Sequence, residues 1–374
     1  MKRTLPRKCV AFFLAFIILS FSCIQLPAMA AYNSNSAVYD KIEATLSAIA
    51  PEKELYGLND INIYSLSIGS EIPAYEVVSE SLKPVEIHIY PIFDDTSKLV
   101  LTATTANING EIAVSLSCSF VDTLSCFTPS DKVAIIYDKN NIYIQNENAT
   151  AQVKGISGYS DMDRDDLASI SEDDISSINK ATLHNVASLT VNPPIQMYDI
   201  GDDSVYLQVE KLKQSTSTLC WAATAVSILR YKGRIDNSIS DQKFSELYQS
   251  YMGENWSLVG QSTAFVTDFI NTYFDKNEGK YVFRGTDWYD YESIWTSLNR
   301  DNPVYGEFIY PSQTTTHAMV VRAMNGYGWF GVMDPLVKDY RTGTYTGTGA
   351  TRDFVVPNEV AGKTLTLIKY SFRS

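Results

Sequence analysis

The chain has 374 residues, of which 45% are hydrophobic, 20% charged and 12% aromatic, a composition that supports a sizeable core and excludes a disordered tail, a coiled coil and a collagen-like fibre. Its formal net charge is −13, and such an excess of carboxylates repels phosphate backbones and anionic lipid, so no nucleic-acid partner is expected. At roughly 100–200 residues per domain, the length predicts two domains.

The first thirty residues read as a secretory signal. Lys2, Arg3, Arg7 and Lys8 precede an apolar run from Val10 to Leu19, and Ala28-Met29-Ala30 offers small residues for cleavage before Ala31. The run falls short of the ~20 apolar residues of a membrane span. Lipid attachment at Cys23 is disfavoured by the bulk of Phe21 in its flank. The expectation is an exported protein, secreted or at the cell surface, with no membrane span after cleavage. Cys9 and Cys23 leave with the signal, and Cys118, Cys126 and Cys220 remain. An odd number of thiols in an exported chain points to a free reactive cysteine, while Cys118 and Cys126 either bridge each other or stay as buried thiols.

Residues 31–154 predict a β-rich, mostly antiparallel α+β domain. Val38, Ile42, Leu46 and Ile49 recur at helical spacing within Ala37–Ala50, and Pro51 closes the stretch. Strands follow at Glu86–Tyr90, Lys98–Ala106 and Glu111–Ser117, the last two joined by an Asn109-Gly110 turn, and at Lys132–Tyr137 and Ile142–Gln145. His88 falls inside an alternating strand and reads as structural. Residues 155–202 predict an acidic linker broken by Pro193-Pro194. Asp161, Asp163, Asp165 and Glu172 match four positions of a calcium loop, but Asp166 stands where the template needs Gly, so the linker reading prevails.

Residues 203–374 predict an α+β domain with helices first and an antiparallel sheet after them. A strand at Val205–Lys211 precedes helices at Cys220–Lys232, Phe265–Tyr273 and Glu292–Asn299, with Gly233 at the C′ position of the first. Strands are expected at Val304–Ile309, His317–Ala323, Trp329–Met333, Asp353–Val356 and Thr364–Tyr370, the second and third joined through Asn325-Gly326. Trp256, Trp288, Trp295 and Trp329 read mostly as core.

The chemistry concentrates in three segments of this half: Gln214 to Ala223, Thr316 to Val321, and Val332 to Pro335. A thiolate is the nucleophile in thiol catalysis, and a helix N-terminus together with an imidazolium lowers its pKa. Cys220 opens a helix, and His317 is the one His of the second half, at the head of a strand. The antiparallel return of the hairpin brings Asp334 back beside His317, where a carboxylate fixes the tautomer of the ring. Asn325 and Asp339 are rivals for that role: the first sits in a turn and the second lies beyond Pro335, so Asp334 is preferred. The backbone N–H of Cys220 and the side-chain amide of Gln214 can serve a developing oxyanion.

Gln214, Cys220-Trp221 with small residues after it, then His317 and Asp334, together resemble papain-like cysteine peptidases. The Cys-Trp-Ala-Ala start and the closing His…Asp-Pro are most similar to the bacterial branch near the C39-like leader peptidases and the effector cysteine peptidases of plant pathogens. The resemblance covers roughly Leu207–Ser374 and leaves the first domain uncovered. It implies a papain-like fold for residues 203–374, with Cys220 as nucleophile, His317 as general base and acid, Asp334 as orienting residue and Gln214 as oxyanion donor. Papain-like enzymes with Asn in the orienting position differ here, since this chain offers Asp.

The expectation is an exported cysteine endopeptidase, made as a precursor and acting on a peptide or protein substrate. No metal or organic cofactor is implied. A thiol acyltransferase or isopeptidase of transglutaminase-like type, and a non-enzymatic surface-binding protein with an inert peptidase-like domain, are the alternatives. The first domain is expected to cover the active site of the precursor as a propeptide, with a permanent accessory domain as the other possibility.

Overall fold

The apolar repeat Val38–Ile42–Leu46–Ile49 does form a helix, α1, over residues 36–49, and Pro51 opens the 3-10 turn Ala50–Tyr56 that continues it. The structure is a computed structural model that describes residues 36–138, 141–147, 149–153, 176–192, 204–253, 263–274, 283–286, 291–310, 316–326, 328–346 and 353–373. The signal segment and the calcium-like positions from Asp161 to Glu172 lie outside the described residues.

Nine strands follow: β1 (Ser67–Gly69), β2 (Ala74–Val78), β3 (Ser81–Pro84), β4 (His88–Phe93), β5 (Leu99–Ile108), β6 (Glu111–Ser117), β7 (Lys132–Asp138), β8 (Asn141–Gln145) and β9 (Thr150–Gln152), with a one-turn helix α2 (Val121–Leu124) after β6. Asn109 and Gly110 both take positive φ, 53° and 88°, as a two-residue hairpin turn with the right twist requires. Two further strands, β10 (Ala181–Thr182) and β11 (Asn185–Ser188), fall inside the stretch expected to be a linker. They pair with β7 and β1, and Leu183, Leu189 and Val191 are buried beside them. The described tail of residues 155–202 is thus part of the first half's sheets, anchored by Leu183, Leu189 and Val191.

The strands of the first half form two sheets, in the order β11-β1-β4-β5-β6 and β3-β2-β7-β8-β9, with β10 on β7. The pairing is antiparallel except for β2 with β7, which run parallel. Ile72, Ile89, Phe93, Val133, Ile135 and Ile144 fill the space between the sheets.

The second half opens with β12 (Ser204–Tyr206), shorter than the predicted strand, and continues with α3 (Cys220–Tyr231), α4 (Asp241–Met252), α5 (Thr263–Tyr273), β13 (Phe283–Thr286) and α6 (Tyr291–Asn299). Six strands end the chain: β14 (Val304–Ile309), β15 (Thr316–Asn325), β16 (Trp329–Asp334), β17 (Asp339–Thr346), β18 (Asp353–Asn358) and β19 (Lys363–Arg373). The mixed α+β character and the antiparallel pairing agree with expectation. The sheet goes further, because β15 pairs with β16 as well as β14, so β15-β14-β19-β18-β17-β16 returns on itself as a closed antiparallel barrel. Closure demands close approach between strands. At Gly343 an added Cβ would stand 2.3 Å from the Phe330 ring and 2.8 Å from the Val355 carbonyl, so only glycine lets that ring cross β17.

The halves share one core. Ile42, Leu46, Leu101 and Val114 from the first belong to the same buried cluster as Trp221, Val226, Val332 and Phe354 from the second. Strand β6 meets the barrel at β17: the Val114 N–H donates to Thr344 Oγ1 at 2.9 Å and the Leu116 N–H to Thr342 Oγ1 at 2.7 Å. Buried Arg322 of β15 forms a two-pronged ion pair with Glu52 of the 3-10 turn.

Candidate active site

Helix α3 starts at Cys220 because the run that follows, Trp221 to Leu229, is buried throughout and packs on β14 and β15. Trp221 fixes the first turn, its ring 5.0 Å from Tyr248 and 5.9 Å from Phe244 of α4. Cys220 is therefore held, half-buried, at the positive end of a helix dipole.

His317 is the second residue of β15, opposite Phe308 of β14. Asp334 ends β16, and the pairing Val320 with Met333, continued by one step, sets Asp334 opposite Met319. His317 then lies on the diagonal from Asp334, on the same face, within reach of a side chain. The ring's Nε2 is 2.7 Å from Asp334 Oδ1, with His317 5% exposed and Asp334 fully buried. The ring and the Cys220 sulfur are close enough that each shifts the other's pKa, His317 lowering Cys220 and Cys220 raising His317. The backbone N–H groups of Ala318 and Trp221 also favour the charged form of that sulfur. The structure brings Cys220, His317 and Asp334 together in one row.

Charge is stabilised along that row. Burial works against a charged imidazole, yet the Asp334 carboxylate and then the Cys220 sulfur push His317 up to about 10. Burial likewise opposes the thiolate, but the His317 hydrogen bond and charge, with the two N–H groups, bring Cys220 below its ordinary value. Asp334 is held down at about 2 against burial by His317, by Arg341 and by the Leu336 N–H. Its Oδ1 accepts from Leu336 at 2.9 Å and its Oδ2 from Arg341 Nε at 2.9 Å. The arrangement favours a thiolate beside an imidazolium.

Gln214 is buried in the loop that feeds α3. Its side-chain amide donates to the Thr216 carbonyl at 2.8 Å, and its backbone N–H donates to the Pro335 carbonyl at 2.9 Å. Ser215 next to it gives its N–H and hydroxyl to Asp241 Oδ2 at 2.6 and 2.9 Å. The loop is thus pinned to the turn after Asp334 on one side and to the start of α4 on the other. The rivals of Asp334 are engaged elsewhere. Asn325 Oδ1 accepts from the Trp329 N–H at 3.2 Å within its hairpin. Asp339 pairs with Lys211 at 2.8 Å and takes the Cys118 thiol hydrogen.

Two buried charges behind Asp334 escape the sequence reading. Arg341 lies in β17, a strand whose polar text, Asp-Tyr-Arg-Thr-Gly-Thr-Tyr-Thr, carries little apolar alternation. Glu359 follows β18, and Arg341 pairs with both Glu359 and Asp334. The available signal was an arginine among β-branched and aromatic residues just downstream of the Asp-Pro turn. Cys118 and Cys126 are both free thiols, the first half-buried and the second exposed. His88 makes a surface pair with Glu71 at 2.8 Å. Trp329 is buried against Tyr206, and Trp295 is partly buried beside Tyr291, whereas Trp256 and Trp288 lie outside the described residues. Among the described residues no group of three or more His, Cys, Asp or Glu side chains is placed to hold a metal ion, and no helix is long and apolar enough to cross a membrane.

Several polar contacts join the halves. Ser119 bonds to Arg341, Thr104 and Tyr137 to Glu359, and Glu52 to Arg322. Among the described residues none of the hydrogen bonds or ion pairs between the halves reaches Cys220 or His317. No protein-family model matches the chain, and no curated protein matches it in sequence.

Proposed function

We propose that the protein is an exported cysteine peptidase that hydrolyses peptide bonds through Cys220, His317 and Asp334. The observation that carries this reading is the meeting of three side chains from three elements, with Asp334 2.7 Å from the His317 ring and that ring lowering the pKa of the Cys220 thiol. In this reading the thiolate attacks the substrate carbonyl carbon, forming a C–S bond. The oxyanion is met by the Cys220 N–H at the start of α3 and by the Gln214 amide once it turns from Thr216. The imidazolium gives its proton to the departing amine, leaving an acyl-enzyme. A water molecule, deprotonated by the now neutral imidazole, attacks the thioester and releases the acid and the thiolate. Asp334 keeps the ring oriented throughout.

The first half is read here as a retained part of the fold, because it bonds to Arg341 and Glu359 and shares a core with the barrel. The test is cleavage of a peptide library by the full chain, with Cys220→Ala as control, since Ala suits a first helical turn. Turnover should vanish in the variant with the fold intact. Products heavier by water identify hydrolysis, and products heavier by an amine would identify acyl transfer instead. Undiminished turnover in Cys220→Ala would end the thiol reading.

A further inference from the structure

Four buried ionisable side chains stand in series. His317 Nε2 meets Asp334 Oδ1 at 2.7 Å, Asp334 Oδ2 meets Arg341 Nε at 2.9 Å, and Arg341 Nη1 meets Glu359 Oε2. Arg341, Asp334 and Glu359 are fully buried. A guanidinium placed against Asp334 should weaken the carboxylate's hold on His317, because one negative charge would then serve two cations. Glu359 supplies the missing charge. With it, an imidazolium at His317 gives two positive and two negative groups, a balanced row. Imbalance is costly in a buried setting.

We infer that Glu359 is a positioning residue for the candidate triad: by neutralising Arg341 it leaves the charge of Asp334 to His317 and so sustains the thiolate of Cys220. This deepens, and rests on, the thiol reading of Cys220. If the charge of Glu359 is removed, the row of His317, Asp334 and Arg341 carries one net positive charge. Arg341 keeps its proton, and because Glu359 stands one link nearer to His317 than to Cys220, losing its charge destabilises the imidazolium more than it relieves the thiolate. The proton passes from the His317 ring to the Cys220 sulfur, the N–H bond breaks, an S–H bond forms, and a neutral pair remains.

The first half holds Glu359 and Arg341 in place. Thr104 Oγ1 donates to Glu359 Oε2 at 3.4 Å, the Tyr137 hydroxyl donates to the Glu359 carbonyl, and Arg341 Nη2 donates to Ser119 Oγ at 3.1 Å. Other charged or titratable groups face the row. Asp339 acts on Arg341 from the start of β17, and it is itself paired with Lys211 and bonded to the Cys118 thiol. A charge on Cys220 acts on buried Tyr305 of β14 and raises its pKa, second to burial. The variant below changes none of these.

The experiment is the pH dependence of Cys220 alkylation by iodoacetamide in the full chain, read by mass on the Cys220 peptide so that Cys118 and Cys126 do not contribute. It needs no substrate. Glu359→Gln keeps the shape and one acceptor for Arg341, and should move the half-maximal pH up by about one unit, the size expected for loss of one buried charge three links away. Glu359→Asp restores the charge and should stay near the wild-type profile even if it packs less well. Glu52→Gln, which removes a buried carboxylate away from the row, should leave the profile unmoved. An unshifted profile in Glu359→Gln overturns the inference, as does an equal shift in Glu359→Asp, which remains decisive should the Gln variant not fold. A wild-type profile already in the ordinary thiol range near 8.5 overturns the thiolate reading itself, and this inference with it.

Discussion

Glu52→Gln tests whether the two halves stand or fall together. Arg322 is fully buried, with both terminal nitrogens on Glu52, Nε on the Leu207 carbonyl at 2.9 Å and its guanidinium 4.3 Å from the centre of the Tyr340 ring. Breaking such a buried pair from one side costs roughly 3–5 kcal/mol, because the remaining charge stays behind without its counter-ion. The Gln oxygen still accepts one bond, and Leu207 and Tyr340 remain, so the cost here should be about 2–3 kcal/mol. With a urea slope of about 3 kcal/mol per molar, the midpoint should fall by roughly 1 M. The readout follows from the sequence: all five tryptophans, Trp221, Trp256, Trp288, Trp295 and Trp329, lie in the second half, and Glu52 lies in the first. Tryptophan fluorescence therefore reports barrel and helices alone. A shifted fluorescence midpoint, coincident with far-ultraviolet circular dichroism, means that one cooperative unit carries both halves. An unmoved fluorescence midpoint would refute the reasoning and return the first half to the status of a separable domain.

Two further outcomes are expected. Gln214→Ala should lower kcat by roughly 10²–10³ with KM little changed, as loss of one oxyanion donor does; steady-state kinetics on a cleaved peptide check this, and a loss confined to KM would make Gln214 a substrate contact. The Asp334–His317 pair should also leave a pH signature in stability. Asp334, held at about 2, contributes fully above its unfolded value near 4, and that contribution is lost as pH falls through 2; His317, raised to about 10, contributes fully below its unfolded value near 6.5, and that contribution is lost as pH rises through 10. The difference in unfolding free energy between wild type and Asp334→Asn, measured by urea titration from pH 3 to 10, should thus be largest between about 4 and 6.5 and shrink on both sides, and a flat difference would sink the assignment.

The residues that meet at the site were legible because their local texts are strong. Cys220 stands where an apolar helical run begins, and the Asn325-Gly326 turn fixes a hairpin whose register sets Asp334 near His317. The elements that support them were harder to read. Strand β17 hides its role behind threonines whose hydroxyls face the other half, so its pattern looks polar until Val114 and Leu116 are seen against it. Helix α4 has the Ser240 cap and apolar residues at Phe244, Leu247, Tyr248 and Met252, a legible pattern that the expectations omit. The closed barrel, and the burial of Arg322, Arg341 and Glu359, depend on pairings between residues far apart in the chain. Nothing in the neighbours of Arg341 foretells that its counter-charge arrives eighteen residues later.

The bonds from β6 to Thr342 and Thr344 join residues 226 and 230 positions apart. A ribosome working from the N-terminus therefore completes β6 long before the hydroxyls that cover its edge exist. During that interval the strand offers open N–H groups to any other extended chain, the usual invitation to aggregation. Contacts of such long sequence separation also close slowly. The hazardous moment in the life of this molecule is thus its synthesis: a truncated product ending before β17 should be a sticky one, and yield in a recombinant host should depend on how long the nascent first half must wait for its partner.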